Sequence, residues 1–436
     1  MQAPTTLTAR ARSRAVAAGM LVQPCRMRIG ILTQYYPPEV GAPQARLAAL
    51  AQSLAAAGDD VTVLTAMPNY PAGRIQPGYG GLLREERQAG VRIIRTFIAP
   101  SQRAALLPRL TSYFSFVASS TLGGLLKLGR LDVLIVESPP LFLALAGMAL
   151  ARRTHARLVM NISDLWPESA VRLGLVRPGS MGHRLSVALE AQCYRKSWLV
   201  SAQTTEIVAS IRRRFPGVPA CLLSNGADCL AFAPERATPT ARAALGPAGR
   251  CIALYAGLHG LAQGLDQLLD ATALLPPTGA IDMVFMGDGP TRQALRARAE
   301  RERLAQVRFL PTQPHAELPA LLASADIILV PLHRAFTDAV PSKLYEALAS
   351  GRPVILIATG PAAEMVRGAQ AGIVVPHDNP GALAAALQRL AAEPQLRARL
   401  GANGRALALE RFNRARLHEE FAQRLRAGLT EDVEAR

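Results

Sequence analysis

The residues best suited to chemistry lie in one segment, Asp338-Ala-Val-Pro-Ser-Lys-Leu-Tyr-Glu, which ends at Glu346. The pattern predicts a helix that begins near Ser342, because proline suits the first helical turn and Gly351 suits the position just past the end. The amides at such a helix N-terminus form an anion site, and Lys343 adds a positive charge there. Glu346 lies three residues further on, on the same helical face.

This helix offers amides and an ammonium to a phosphate and a carboxylate to a neighbouring pair of hydroxyls. A nucleoside diphosphate with its ribose fits that arrangement. An ordinary surface helix, on which Lys343 and Glu346 form a solvated pair, also fits the same residues. Chemistry alone leaves both interpretations open.

Short apolar strands alternate with helical patterns from Met27 onward, which predicts parallel sheets wound on both faces. The predicted strands are 28–33, 60–65, 91–96, 133–137, 157–162, 198–202, 252–256, 281–286, 307–310, 327–330, 353–357 and 373–375. The predicted helices include 45–57, 181–194, 263–275, 290–303, 317–323, 342–349, 381–392 and 411–429. A stretch rich in Gly and Pro between 225 and 250 indicates an interdomain linker.

The chain is therefore predicted to be an α/β protein with two doubly wound domains, 27–230 and 231–410. A C-terminal helix within 411–436 is expected to pack back toward the first domain. Residues 1–26 are rich in Arg, Ala and Thr, without acids or an apolar core, and are expected to be a disordered extension. Two such domains place a ligand cleft between them, at the carboxyl ends of their strands.

Several classes of protein are disfavoured. No G-x-G-x-x-G follows either opening strand and there is no Walker A sequence, which argues against dehydrogenases and ATPases. The five cysteines include no C-x-x-C pair, which favours a reducing compartment without structural zinc or a disulfide framework. No apolar stretch reaches the roughly 18 residues that a membrane-spanning helix needs.

The net charge of +17 is concentrated in the first half of the chain. Residues 1–218 carry 26 Lys and Arg against 11 Asp and Glu, and the remainder carries 23 against 21. This asymmetry suggests an anionic partner on one side, either anionic lipid, nucleic acid or a pyrophosphate substrate, unless it reflects background composition. Nucleic acid is disfavoured because zinc-finger and RNP-type motifs are missing and aromatic residues are only 5%.

Residues 338–354 resemble the Glu-x7-Glu region of the family 4 retaining glycosyltransferases of the GT-B fold. Further similar segments follow the order of that family, namely 34–42, 164–169, 225–228 and 255–266. With Pro68-Asn-Tyr-Pro, they resemble the subgroup that builds bacterial O-antigen or capsule, which includes fucosamine-transferase-like enzymes. The resemblance extends from 27 to about 421. It implies two Rossmann-like domains, with the acceptor on the first and the nucleotide sugar on the second.

The resemblance implies roles for the residues of the helix and its preceding loop. Glu346 would hold the ribose hydroxyls, and Lys343 with the amides around Ser342 and Leu344 would hold the diphosphate. Asp338 occupies the first position of Glu-x7-Glu and is expected near the donor sugar as a catalytic residue. It is one methylene shorter than Glu, so its reach to the sugar is reduced.

Further donor contacts are expected from two other loops. Gly41, without a Cβ, would let the first-domain loop approach the phosphates, and Gly257 opens the corresponding loop of the second domain. Relatives often carry Arg at 258 and Lys at 263, where this chain has Leu258 and Gln263. Lys343 should therefore matter more than in those relatives, with His259 as an extra donor.

Three acidic residues follow predicted strands and are candidates on the acceptor side. Asp164 follows strand 157–162 and would orient the acceptor hydroxyl, take its proton as a catalytic base, or simply cap the next turn. Glu39 and Glu137 are candidates for acceptor contact. Glu137 precedes Ser-Pro-Pro, so a role in a turn is an alternative for it.

The resemblance implies transfer of an N-acetylamino or deoxyamino sugar from a UDP-sugar to a polyprenyl-diphosphate-linked saccharide. No Asp-x-Asp sequence occurs, so neither a metal nor another cofactor is expected. The enzyme is expected to be cytoplasmic and peripheral at the anionic inner face of the bacterial plasma membrane. The segment 110–128, flanked by arginines, is either an amphipathic anchor at that surface or a buried helix.

Three rival functions remain. The first is an epimerase or hydrolase of the same architecture that acts on nucleotide sugars without a sugar acceptor. The second is a non-catalytic subunit that binds nucleotide sugars, which the departures at 258, 263 and 338 favour and the presence of Lys343 and Glu346 disfavours. The third is a nucleic-acid-binding protein, suggested by charge alone.

Overall fold

The computed structural model describes residues 26–70, 72–101, 106–172, 174, 176–276, 279–334 and 339–434. The extension predicted over 1–26 falls outside this range apart from Arg26, and so does Asp338. Within the described residues, two separate sheets form, one in each half of the chain.

The first sheet has its strands in the order β3-β4-β2-β1-β5-β6-β7-β8, and only β3 runs antiparallel to its neighbour. The strands are β1 (Arg28–Leu32), β2 (Asp60–Ala66), β3 (Leu83–Gln88), β4 (Val91–Thr96), β5 (Val133–Ser138), β6 (Arg157–Ile162), β7 (Leu199–Ala202) and β8 (Ala220–Leu222). The six strands predicted in this half are confirmed to within one residue. β3 and β8 were not predicted, because β3 reads LREERQ and β8 has three residues.

Helices cover both faces of this sheet. They are α1 (Ala42–Ala56), α2 (Leu106–Lys127), α3 (Leu143–Thr154), α4 (Glu168–Arg172), α5 (Met181–Lys196) and α6 (Thr205–Arg214). Leu47 and Leu50 of α1 pack on one face, against alternate residues of the central strands. Phe116 of α2 and the apolar face of α3 pack on the other face with α5 and α6.

The second sheet is entirely parallel, with its strands in the order β11-β10-β9-β12-β13-β14. The strands are β9 (Cys251–Ala256), β10 (Ile281–Met286), β11 (Val307–Leu310), β12 (Ile327–Pro331), β13 (Val354–Ile357) and β14 (Gly372–Val375). All six were predicted to within one residue. The strand order reverses between β9 and β12, which is where an open parallel sheet binds its ligand.

The helices of the second domain fill the connections between its strands. They are α7 (Pro239–Leu245), α8 (Asp266–Ala273), α9 (Arg292–Arg301), α10 (Leu318–Ser324), α11 (Ser342–Ala349), α12 (Pro361–Gly368), α13 (Pro380–Ala392) and α14 (Pro394–Arg411). The prediction for α11 is confirmed at both ends. α11 connects β12 to β13, so its N-terminus lies at the carboxyl edge of the sheet.

The last helix, α15 (Arg414–Glu434), returns to the first domain. Phe421 and Leu425 of this helix join the core that Leu47 forms with the first sheet. Arg426 forms a 2.7 Å ion pair with the buried carboxylate of Asp59. The predicted fold class, two doubly wound parallel domains with a returning C-terminal helix, is therefore confirmed.

Candidate active site at the cleft between the domains

The N-terminus of α11 has the properties of an anion site. Pro341 occupies the cap position without a side-chain hydrogen bond, and the first turn contains no acidic residue. The amide of Leu344 donates to the carbonyl oxygen of Pro341 at 2.9 Å, so the predicted contact of that amide with a diphosphate competes with a bond inside the turn. The helix itself does not use the amides of Ser342 and Lys343, and they remain the best donors for an anion.

At this helix end, the side chain of Lys343 is held in place by contacts with a tyrosine. Its Nζ donates to Tyr255 Oη at 2.9 Å and lies 4.2 Å from the centre of that ring. Tyr255 Oη in turn donates to the carbonyl oxygen of Leu258 at 2.5 Å. Burial lowers the pKa of Lys343 to about 8, and the nearby charge of Glu346 only partly opposes this effect. The ammonium is therefore placed in advance but incompletely compensated, as a phosphate-binding group requires.

The loop that follows β9 approaches Lys343 closely. Gly257 has φ 141°, and a Cβ at this position would lie 2.7 Å from Lys343 Nζ. Gly287, at the end of β10, has φ 140°, and a Cβ there would lie 1.9 Å from the carbonyl oxygen of Gly257. Glycine suits both positive φ values, and a side chain at Gly287 would separate the two loops while one at Gly257 would displace the ammonium. Gly287 was not among the predicted residues.

Glu346 lies near Lys343 on α11, as its spacing predicts. Burial raises the pKa of its carboxyl group, while the positive charges of Arg414, His315 and Lys343 oppose that shift. The structure thus brings together Gly257, Lys343 and Glu346 from two separate segments. The proposed contact of Glu346 with ribose stays a prediction.

The ring of His259 is buried in this structure, and its predicted role as an extra donor stays a prediction. Its side chain is 0% exposed and packs among the rings of Tyr255, Phe285 and Phe309. Burial lowers its pKa to about 4, so the imidazole is neutral at physiological pH. The backbone of His259 holds the next loop instead, since its carbonyl oxygen accepts from the amide of Thr291 at 3.0 Å and from its hydroxyl at 2.8 Å.

Gly41 forms the N-cap of α1, with no side-chain hydrogen bond at that helix end. Its backbone is extended, at φ 170° and ψ 170°, so its conformation does not require glycine. A Cβ would instead meet the Oε1 atom of Gln44, at 2.4 Å. Contact between Gly41 and the donor phosphates stays a prediction.

Glu39 has internal partners, where the sequence suggested acceptor contact. One carboxylate oxygen accepts from the amides of Asn69 and Tyr70 at 2.7 and 2.8 Å, and the other accepts from the amide of Tyr36 at 3.2 Å. The side chain is buried, and burial raises its pKa although these amides oppose the shift. Glu39 therefore joins the loop after β1 to the loop after β2, which leaves its carboxylate little capacity for an acceptor.

Glu137 is likewise engaged inside the protein. Its Oε1 accepts from Arg46 Nη2 at 2.5 Å and from the hydroxyl of Ser163, and its Oε2 accepts from Asn161 Nδ2 at 2.6 Å. Arg46 also donates to the side chain of Asn225 at 3.1 Å. Glu137 is thus part of a buried polar network at the carboxyl edge of the first sheet, where direct contact with an acceptor had been suggested.

Asp164 lies at the edge of that network, directly after Ser163. Its carboxylate is 46% exposed and lies 3.8 Å from Arg172 Nη2. Accessibility and position at the end of β6 are both compatible with the predicted catalytic role, which stays a prediction. Among the residues that the structure describes, no group of three or more His, Cys, Asp or Glu side chains is arranged to hold a metal ion.

Comparison with known proteins agrees with this geometry. Residues 41–226 match the glycosyl transferase 4-like domain model, and residues 239–407 match the glycosyl transferases group 1 model. The chain belongs to the family 4 glycosyltransferases of the GT-B fold. One relative, described as the colanic acid biosynthesis glycosyl transferase WcaI of Escherichia coli, is 27% identical over 76% of this chain and 83% of its own length.

Solved glycosyltransferases share the fold of this enzyme. Sucrose-phosphate synthase from Thermosynechococcus elongatus superposes with a TM-score of 0.73 at 22% identity, covering 92% of this chain and 99% of the other. HepE from Anabaena, in complex with UDP-glucose, gives a TM-score of 0.68 at 20% identity, covering 92% and 100%. The predicted family, fold and enzyme class are therefore confirmed.

Two features of the site were missed from the sequence. Tyr255, which supports Lys343, stands in the Tyr-Ala-Gly segment used for the family resemblance, but no role was assigned to it. Arg46 is the only charged residue of α1 (APQARLAALAQSLAA), and a single arginine in a helix otherwise rich in Ala and Leu is a usable signal. Its partners Glu137 and Asn225 are distant in sequence, so no local sequence pattern indicates the network itself.

Proposed function

We propose that this glycosyltransferase moves a sugar from a UDP-sugar to a polyprenyl-diphosphate-linked saccharide, with retention of anomeric configuration, during assembly of bacterial O-antigen or capsule. The observation that carries the donor part is the N-terminus of α11, where Lys343 lies against Gly257 and Glu346 follows one turn later. The HepE complexes with UDP and UDP-glucose, and the colanic acid assignment of WcaI, support the nucleotide and the pathway class. The donor sugar we propose is an N-acetylamino or deoxyamino sugar.

The chemistry proceeds by breaking the bond between the anomeric carbon and the diphosphate. Negative charge then builds up on the departing diphosphate, and the amides of Ser342 and Lys343 with the Lys343 ammonium stabilise it. The acceptor hydroxyl oxygen forms the new bond on the same face of the sugar, and its proton passes to a diphosphate oxygen. In this proposal the helix end and the lysine replace a divalent cation, so the enzyme works without a metal.

Donor binding is tested by thermal shift with UDP and UDP-sugars. A ligand at one hundred times its dissociation constant should add about 2.7 kcal/mol to the stability of the native protein. Lys343→Met and Glu346→Gln should reduce the shift, whereas Lys196→Met, at an exposed lysine in the last turn of α5, should preserve it. A wild-type protein without any shift for UDP would contradict the proposal.

Transfer itself is tested with a radiolabelled UDP-sugar and a polyprenyl-diphosphate-linked saccharide. Label should move to the lipid phase only when the acceptor is present, also after treatment with EDTA. Release of free sugar or an epimerised UDP-sugar without acceptor would favour the hydrolase or epimerase alternative. Binding of UDP without turnover on any acceptor would favour the non-catalytic alternative.

We further propose that α2, α3 and α5 form the surface that contacts an anionic membrane, and we call these three helices the outer helical face. α2 buries one side, including Phe116, and exposes apolar residues on the other at helical spacing. The exposed apolar residues of the face are Phe114, Leu122, Leu125, Leu126, Leu145, Met181 and Leu185. α2 thus combines the two alternatives raised for segment 110–128, since one side is buried and the other is exposed.

The charge of the outer helical face complements an anionic bilayer. Exposed basic residues lie on or beside the three helices, namely Lys127, Arg130, Arg152, Arg153, Arg184, Arg195 and Lys196. The described residues of these helices include one acid, Glu190, and its side chain is 0% exposed. Lys127 is paired with Glu85 of β3 at 2.9 Å, and apolar side chains beside the remaining cations are typical of interfacial membrane binding. No helix in the described part of the chain is long and apolar enough to span a bilayer.

Membrane binding is tested by co-sedimentation with vesicles of phosphatidylcholine, with or without phosphatidylglycerol. The protein should bind the anionic vesicles at low salt and dissociate at high salt. The double variant Leu122→Ser, Leu126→Ser should bind less, whereas Leu230→Ser, at a leucine that is 83% exposed in the linker, should bind like wild type. Equal retention on neutral vesicles would contradict the electrostatic part.

A further inference from the structure

The guanidinium group of Arg46 is the centre of a buried polar network at the bottom of the cleft. Its Nη2 donates to Glu137 Oε1 at 2.5 Å and to Ser163 Oγ at 2.8 Å, and its Nη1 donates to Asn225 Oδ1 at 3.1 Å. The side chains of Arg46 and Glu137 are 8% and 3% exposed. Gln203 Nε2 also donates to Ser163 Oγ, at 2.6 Å. The network therefore joins α1 to the ends of β5, β6 and β7.

Stability alone does not account for this network. A buried ion pair is usually no more stabilising than apolar residues of the same volume, because both charges lose their hydration. Apart from Gln44, the rest of the buried side of α1 is apolar, so the helix packs on the core without needing a charge at position 46. A buried guanidinium contributes geometric specificity, because its planar array of N–H donors fixes the positions of several hydrogen-bond acceptors at once.

In the interdomain linker, Asn225 accepts hydrogen bonds from two arginines, one at its side chain and one at its backbone. Its side chain accepts from Arg46 of the first domain, while its carbonyl oxygen accepts from Arg414 Nε at 3.1 Å. Arg414 Nη2 also donates to the carbonyl oxygen of Gly226 at 3.0 Å. Gly226 has φ 55°, and a Cβ there would lie 2.6 Å from the carbonyl oxygen of Phe412. The linker is thus packed tightly against the point where α14 gives way to α15.

The two arginines extend to opposite sides of the cleft. Arg46 contacts Ser163, the residue before Asp164, on the acceptor side. Arg414 contributes positive charge that favours the ionised form of Glu346 on the donor helix. One connected set of hydrogen bonds therefore runs from the acceptor edge of the first sheet, through Asn225, to the arginine that faces the donor helix.

We propose that Arg46 and Asn225 form a clamp that fixes the angle between the two domains, and so places the acceptor edge relative to the bound donor. They are positioning residues, because they act through the linker rather than by touching substrate. The catalytic part of this proposal rests on the glycosyl transfer proposed above. The conformational part does not, since it concerns the free protein as well.

The test replaces only the linker end of the clamp, so that Glu137 keeps its ion pair with Arg46. Asn225→Ala removes the side-chain acceptor, and Asn225→Asp retains an acceptor oxygen for Arg46. Asn403→Ala is the matched control, because Asn403 Nδ2 donates to the carbonyl oxygen of Gln370 within the second domain. Small-angle X-ray scattering of each ligand-free protein measures the distribution of interdomain distances.

Asn225→Ala should give a broader distance distribution and a larger radius of gyration than wild type, and Asn225→Asp and Asn403→Ala should not. Its dissociation constant for UDP should stay within twofold of wild type, while kcat for transfer should fall at least tenfold. An unchanged scattering profile for Asn225→Ala would overturn the clamp. UDP affinity that falls in parallel with kcat would also overturn it, because the defect would then lie in the donor site.

Failure of the proposed function has a different signature. A wild-type protein that neither binds UDP nor transfers sugar would refute glycosyl transfer, while the scattering comparison would still decide whether the clamp exists. If Asn225→Ala does not fold, Arg46→Lys provides the second variant. It keeps the charge opposite Glu137 but cannot contact Ser163 and Asn225 in two directions, so it should broaden the distance distribution in the same way.

Discussion

The lowered pKa of Lys343 predicts that donor affinity depends on pH. Burial holds this pKa at about 8 in the protein without donor, well below the ordinary value of 10.5. A bound diphosphate favours the ammonium, so the pKa rises on binding and the affinity requires a proton on Lys343. Affinity should be nearly constant below about pH 7 and fall as the pH rises through 8. For a Lys343 pKa of about 8 before binding, UDP-sugar should bind about tenfold more weakly at pH 9 than at pH 7.

The assay is isothermal titration calorimetry between pH 6.5 and 9.5, with wild type and Lys343→Met. Uracil also ionises near the upper end of this range, and Lys343→Met measures that contribution because it lacks the ammonium. At pH 7, Lys343→Met should bind roughly 10- to 150-fold more weakly, which corresponds to a charge-assisted hydrogen bond of about 1.5–3 kcal/mol. The two proteins should converge at high pH. Parallel profiles, or equal affinity at pH 7, would refute the reasoning.

Three further predictions concern packing and stability. Gly257→Ala should lower stability by about 1–3 kcal/mol, because the backbone at this position has a positive φ. It should also weaken UDP binding, since the new Cβ would lie 2.7 Å from the ammonium of Lys343. Unchanged UDP affinity would contradict this prediction. Burial lowers the pKa of His418 to about 3, so this side chain takes up a proton near pH 6.5 only in the unfolded state. Its contribution to stability is therefore retained above pH 6.5 and lost below it, at up to about 1.4 kcal/mol per pH unit. In urea unfolding, the stability of His418→Gln should depend less steeply on pH than that of wild type. Arg426→Ala leaves the carboxylate of Asp59, which is 1% exposed, without its ion pair and should lower stability by about 3–5 kcal/mol. Arg416→Ala removes an exposed pair and should lower stability by less than about 1 kcal/mol. Thermal unfolding measures both changes.

The parts of the fold that depend on local pattern were predictable. Strands buried on both faces, such as β12 and β13, are continuous apolar runs of the kind that a parallel sheet favours. α14 was not predicted, since Gly401 and Gly404 disfavour a helix by intrinsic propensity. The structure gives the reason for Gly401, because a Cβ there would lie 2.2 Å from the carbonyl oxygen of Gly351. Close packing against the end of α11 thus overrides the local preference.

The candidate site also has one part that local sequence pattern predicts and one part that it does not. Lys343 and Glu346 are neighbours on one helix, so their spacing alone predicts that they share a face. The partners of Arg46 lie 91 and 179 residues away along the chain, at Glu137 and Asn225. Only the arrangement of the strands brings them together, and no local pattern encodes it. Glu137 was therefore interpreted as an acceptor contact, although it completes an internal charge pair.

The absence of cations at 258 and 263 is easier to understand from the loop after β9. Leu258 is 50% exposed, and its side chain brings no charge to the site. Its carbonyl oxygen nevertheless accepts from Tyr255 Oη, the atom to which Lys343 Nζ donates. The loop therefore orders Lys343, the cation of the proposed diphosphate site. In the proposed mechanism, one lysine and one helix end provide the leaving-group stabilisation, so donor affinity should respond to the protonation of a single group.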